Sequence, residues 1–144
     1  MVRSMEKSNG EGVRMKAKKS SVYVEENLNP DDKKIGDCGV RAIAKATGKS
    51  YETIEEELIE LLREIKFRNY STIYTEYNNR FCVHKMSFPA KKGYKRMDAE
   101  TFARTHPTGR YVLNLAHHMV ACVDGKIYDI WDCSKKCVYS AWQF

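Results

Sequence analysis

The chain lacks any apolar run approaching the ~18 residues that a membrane span requires, and its basic N-terminus lacks the apolar segment of a secretory signal. Both absences point to a cytoplasmic protein without a membrane partner. A disulfide framework is missing too. Five cysteines are an odd number, their spacing forms no paired pattern, and a reducing compartment would keep them as thiols. No internal repeat is visible. What remains is 144 residues with 42% hydrophobic content, enough for one core and one domain.

Positive charge is concentrated at one end of the chain. Residues 1–20 hold Arg3, Lys7, Arg14, Lys16, Lys18 and Lys19 against Glu6 and Glu11, and so account for most of the net +6. This stretch reads as a disordered basic tail, with residues 21–144 as the folded domain. Lys91, Lys92, Tyr94, Lys95 and Arg96 form a basic loop interleaved with tyrosine. One such loop is ordinarily solvated surface, so no nucleic-acid partner is expected.

The chemistry-bearing segment is Gly36-Asp37-Cys38-Gly39-Val40-Arg41-Ala42-Ile43-Ala44, which places a thiol where a glycine-flanked loop turns into a helix. Unpaired N–H groups and the positive end of the helix dipole favour thiolate there, making Cys38 a candidate nucleophile. Asp37 is the expected N-cap and Gly48 the stop, giving a helix over 38–47. Ser50 caps a second helix whose Ile54, Leu58, Leu61, Leu62 and Ile65 share one face. A helix over 70–79, a strand over 80–86, a short helix over 99–105 capped by Asp98, and strands over 110–115 and 137–142 follow. A short strand over 21–25 precedes them.

Asp124-Gly125 between alternating apolar runs predicts a hairpin with a two-residue type I′ turn. In that register Val123 pairs with Lys126, Val120 with Asp129 and His118 with Trp131. His118, Val120, Cys122, Ile127, Asp129 and Trp131 then share one face, and His117, Met119, Ala121, Tyr128, Ile130 and Asp132 the other. His118 and Asp129 become diagonal neighbours, so the carboxylate can fix the imidazole while the free ring nitrogen serves Cys38. His117 with Asp132 is the competing pair. His118 is favoured because Trp131 shields its partner and because its face carries Val120, Cys122 and Ile127. Cys82 and Cys122 read as core fillers and His84 and His106 as residues without a role. Cys133 and Cys137, with His117 and Cys122 nearby, match no common zinc spacing, and no metal or other cofactor is expected.

The Cys38 motif followed by Gly125-Lys126-Ile127-Tyr128-Asp129-Ile130-Trp131-Asp132 resembles the small papain-like cysteine peptidase proteins of bacteria and their phages, over about residues 36–142. Gly36-Asp37-Cys38 with Arg41-Ala42 is similar to the nucleophile motif of ovarian-tumour-type deubiquitinases, and Asp129-Ile130-Trp131 resembles the Asn-Ser-Trp segment of papain. The resemblance implies an α+β, papain-like fold in which an N-terminal helical half packs on a C-terminal antiparallel sheet. It also implies a cysteine peptidase or isopeptidase acting on a protein or peptide, with Cys38 as nucleophile, His118 as general base and Asp129 as orienter. Where papain-type enzymes carry an oxyanion glutamine this chain has Asp32, and where the ovarian-tumour pattern carries an aspartate it has Ile35. Oxyanion donors would then be backbone N–H groups near Cys38, or Asn29 or Asn114. The alternative is a papain-like protein-binding module without useful turnover.

Overall fold

The computed structural model describes residues 18–66 and 70–144. The expected tail falls mostly on 1–17, outside the described residues. In chain order the elements are β1 (Tyr23–Glu25), α1 (Cys38–Thr47), α2 (Tyr51–Ile65), α3 (Tyr70–Phe81), β2 (His84–Ser87), α4 (Ala99–Thr105), β3 (Arg110–Leu115), β4 (His118–Val123), β5 (Lys126–Asp129) and β6 (Ser140–Gln143). The strands form one six-stranded sheet in the order β1-β5-β4-β3-β6-β2.

The sheet is mixed rather than wholly antiparallel. β1 runs parallel to β5, with Tyr23 opposite Ile127 and Glu25 opposite Asp129, while every other pair is antiparallel. A strand from the N-terminal side of the nucleophile motif therefore completes the sheet edge beside Asp129. In the sequence, though not in the sheet, α1, α2 and α3 lie between β1 and the other strands.

Two apolar clusters cover the two faces. Val112, Met119 and Trp142 pack against α1, α2 and α3 through Ile43, Ile54, Leu58, Ile73 and Tyr77. Leu113, Val120, Cys122, Ile127 and Ala141 pack against α4 through Phe102 and Ala103. Alternation along each strand decides which cluster a residue joins. Ser50 caps α2 by accepting from the Thr53 N–H, Asp98 caps α4 by accepting from the Thr101 N–H, and Gly48 ends α1 in the left-handed conformation at φ 76°.

The Asp124-Gly125 turn has φ of 48° and 77°, the type I′ pattern, and pairs Val123 with Lys126, Cys122 with Ile127 and Ala121 with Tyr128. A second two-residue turn, Ala116-His117, joins β3 to β4 with Leu115 opposite His118. Among the described residues no helix is long and apolar enough to cross a membrane.

Candidate active site

Cys38 opens α1 as expected, yet Asp37 does not cap the helix with its side chain. Its buried carboxylate is turned to other partners. Asp37 Oδ1 accepts from Arg41 Nε at 2.8 Å, and Oδ2 accepts from the Tyr51 hydroxyl at 2.8 Å and from Asn29 Nδ2 at 3.0 Å. The N–H groups of the first turn are thereby free of a side-chain cap next to the thiol.

Gly39 has a separate role. A Cβ there would lie 2.1 Å from Tyr74 Cδ2, so the absent side chain lets the α3 tyrosine close directly over the start of α1. Gly39→Ala is expected to destabilise the protein by ~1–3 kcal/mol through overpacking, measurable by urea denaturation, and to slow alkylation of Cys38. Unchanged stability would mean that Tyr74 moves aside freely.

His118 is the first residue of β4 and Asp129 the last of β5. Their side chains meet, with His118 Nε2 at 2.5 Å from Asp129 Oδ2. This leaves Nδ1 for the thiol, and Cys38 and His118 line the same cleft, near enough for each to shift the other's pKa. Trp131 lies against the His118 ring at 4.9 Å between centroids, and is itself half-exposed. The residues expected to act together are thus brought together.

The face expected to favour His118 is not the one that meets α1. The face it shares with Val120, Cys122 and Ile127 packs on α4, while α1 packs on the Met119 face. His118 and Asp129 engage Cys38 and Arg41 from α1 because both sit at strand ends, where alternation no longer confines a side chain to one layer. The competing pair does not form. His117 is an exposed turn residue at φ 54°, and Asp132 accepts instead from the backbone N–H groups of Ser20 and Ser134.

The link between nucleophile helix and sheet is Arg41, which the sequence reading did not single out for a role. Only 7% exposed, it donates from Nε to Asp37 and from Nη1 to Asp129 Oδ1 at 2.8 Å. The i,i+4 spacing of Asp37 and Arg41 was the available signal, although it ordinarily marks a surface ion pair. Burial alone would raise the Asp129 carboxyl; the His118 and Arg41 hydrogen bonds outweigh it and hold the group below its ordinary range. Asp37 is lowered in the same way, against burial, by Arg41, Asn29 and Tyr51.

The same competition sets the charge on the reacting pair. Burial disfavours imidazolium, yet the hydrogen bond to Asp129, with Cys133 and Cys38 close by, pushes His118 up to about 11. Burial likewise disfavours thiolate, yet His118, the Met119 backbone and the positive charge of Arg41 bring the Cys38 thiol below its ordinary value. Both shifts act in the same sense, favouring the thiolate–imidazolium pair over the neutral one.

Cys133, fully buried, donates its S–H to Asp129 Oδ2 at 3.4 Å. With His118 and Asp129 it forms a group of potential metal-donor atoms within 4.8 Å of one another. Cys137, Cys122 and His117, weighed with Cys133 as ligands from the sequence, are not part of this group. The Arg41 guanidinium already balances the Asp129 carboxylate, and the short His118–Asp129 hydrogen bond occupies the two donors that would have to part around an ion.

Cys38 opens onto a cleft of about 580 Å³ lined by Gly36, Tyr74, Asn114, His117, Met119 and Tyr139 among others. A smaller apolar pocket of about 190 Å³, with Ile35, Leu58 and Ile59 in its wall, shares Gly36 and Tyr74 with it. Of the two side chains considered for the oxyanion, Asn114 lines the cleft, whereas Asn29 Nδ2 is spent on Asp37. Asp32 lies in an exposed turn at φ 55° and takes no part in the lining.

Comparison with family models, curated proteins and solved structures yields no match to this chain.

Proposed function

We propose that this protein is a cysteine-dependent acyl-transfer enzyme of papain-like type, a peptidase or isopeptidase using Cys38, His118 and Asp129. The observation that carries the reading is a half-buried thiol at a helix start sharing its cleft with one imidazole, which is in turn hydrogen-bonded to a buried carboxylate. Partners of this kind lower a thiol's pKa against the opposing effect of burial, where reactivity needs it lowered.

With the proton on His118, the state that both pKa shifts favour, the step begins from thiolate. Cys38 Sγ attacks the carbonyl carbon, forming the C–S bond while the carbonyl π pair moves to oxygen. The uncapped N–H groups at the start of α1, with Asn114 across the cleft, supply the oxyanion donors. The C–N bond then breaks, and the His118 imidazolium gives its proton to the departing amine. Neutral His118 next takes a proton from water, whose oxygen attacks the thioester. The thiolate leaves with the C–S electron pair, and the imidazolium is restored. Asp129 stays ionised throughout and holds the ring.

Alkylation by iodoacetamide, mapped to individual thiols by peptide mass, tests this reading. Cys38 is expected to react at neutral pH far faster than Cys82, Cys122, Cys133 or Cys137. His118→Ala should slow it by ~100-fold or more, whereas His117→Ala leaves it unchanged. Equal rates at Cys38 in all three proteins would defeat the enzymatic reading. The position of Asp32 outside the cleft, where papain-type enzymes carry the oxyanion glutamine, favours the second reading, a papain-like protein-binding module without turnover.

A further inference from the structure

The 88–97 segment is a built electropositive groove that runs into the cleft of Cys38. From Tyr77 to Met97 the chain has no aspartate or glutamate. Lys91, Lys92 and Lys95 are exposed and, among the described residues, have no carboxylate partner. The segment is not a loose loop. A turn closes it through Tyr94 N–H to the Lys91 carbonyl at 3.0 Å, and Phe88 N–H donates to the Tyr139 carbonyl at 2.9 Å. Val138 N–H donates to the Met97 carbonyl at 2.9 Å, and Arg96 Nε donates to the Phe88 carbonyl at 2.6 Å.

Tyr139 is the joint between groove and cleft. Its ring, 38% exposed, carries the Arg96 guanidinium at 4.4 Å from its centroid. Its residue lines both the Cys38 cleft and the groove of about 420 Å³ walled by Lys91, Lys92, Lys95 and Arg96. The floor is partly apolar, with Phe88 and Pro89 on the adjoining side and Tyr94, 71% exposed, at the rim. Four cations around an apolar floor suit carboxylate side chains on an extended chain, and their field would raise the local concentration of such a chain at the thiol.

We infer that the substrate of the Cys38 site is a peptide or protein bearing a run of acidic residues to one side of the scissile carbonyl, received by Lys91, Lys92, Lys95 and Arg96. This rests on the acyl-transfer reading above. It favours an acidic peptide over a nucleic acid because a thiolate exchanges acyl groups, and the groove leads to that thiolate.

The test uses chloroacetamide peptides with the warhead at either end of a Gly-Gly-(Glu)₄ sequence, beside (Ser)₄ and (Lys)₄ counterparts, and follows second-order labelling of Cys38. At low salt one orientation of the Glu probe is expected to label ~10-fold or more faster than its Lys counterpart. The advantage should shrink at ~0.5 M salt. The triple variant Lys91→Ser, Lys92→Ser, Lys95→Ser should abolish it while iodoacetamide labelling stays unchanged. Equal rates for the three charge classes, or an advantage that survives in the triple variant, overturn the inference.

Fluorescence anisotropy of the Cys38→Ala protein with a labelled (Glu)₄ peptide reads the groove without chemistry. Binding that the triple variant loses supports the inference even if Cys38 proves unreactive and the enzymatic reading falls. Absence of binding overturns it, as does tighter binding of a single-stranded oligonucleotide of equal charge that the triple variant loses.

Discussion

Arg41→Met is expected to lower the unfolding free energy by ~3–5 kcal/mol, the largest effect of any single substitution considered for this chain. The guanidinium stands between two carboxylates that are themselves buried, Asp129 being 1% exposed, and donates to both at 2.8 Å. Its removal strands two negative charges in a low-dielectric interior. Asp37 would keep Tyr51 and Asn29 and Asp129 would keep His118, but neither would keep its cation. Urea denaturation measures the loss, and pairing Arg41→Met with Asp37→Asn should recover part of it by removing one stranded charge. A loss below ~1 kcal/mol would show that water reaches the network and screens it.

The second expectation concerns pH. His118 is raised from 6.5 to about 11 and Cys38 is lowered from its ordinary 9.0. Raised His118 contributes stability that is fully present below 6.5 and is lost as pH rises towards about 11. Lowered Cys38 contributes stability that is present above 9.0 and is lost as pH falls below that value. Across the neutral range the two slopes oppose each other, so the pair leaves wild-type stability flatter than His118 alone would. Above 9.0 only the His118 slope remains, and stability falls with rising pH.

Cys38→Ser removes the thiolate but leaves Asp129 and Cys133 to raise His118. From 6.5 upward the native variant then holds one more proton than its unfolded chain. Its stability should fall with rising pH by up to ~1.4 kcal/mol per unit. Urea midpoints across the neutral to mildly alkaline range, compared between wild type and Cys38→Ser, decide it. Equal slopes would mean that the resting site is a neutral thiol and imidazole.

Much of this site was legible because its determinants are local. A thiol before helical periodicity, with Gly48 as a stop, places α1 at Cys38–Thr47. A two-residue turn at Asp124-Gly125 leaves one register for β4 against β5, and that register brings His118 to Asp129. What stayed illegible depends on partners far along the chain. Asp37 reads as a helix cap from its neighbours, yet burial beside Arg41, Tyr51 and Asn29 redirects its carboxylate. Tyr23–Glu25 shows strand alternation, but nothing local says that it pairs with β5, or that it does so in parallel. The strand expected over 80–86 begins only at His84, because α3 continues to Phe81. Cys133 gives no local cue that it meets Asp129, since the turn that returns it to the site has no periodicity to count.

The parallel β1–β5 pair has a consequence for how the protein comes into being. Glu26 N–H donates to the Asp129 carbonyl at 2.8 Å and the Tyr23 hydroxyl donates to the same oxygen at 3.2 Å, so residues about a hundred positions apart clamp the orienting carboxylate's backbone. On the ribosome the segment bearing Cys38 emerges long before β4 and β5 exist to meet it. A nascent chain at that stage carries an ordinary sulfhydryl, and the groups that lower its pKa, above all His118, reach it only once the late-synthesised β4 and β5 have joined the sheet beside β1.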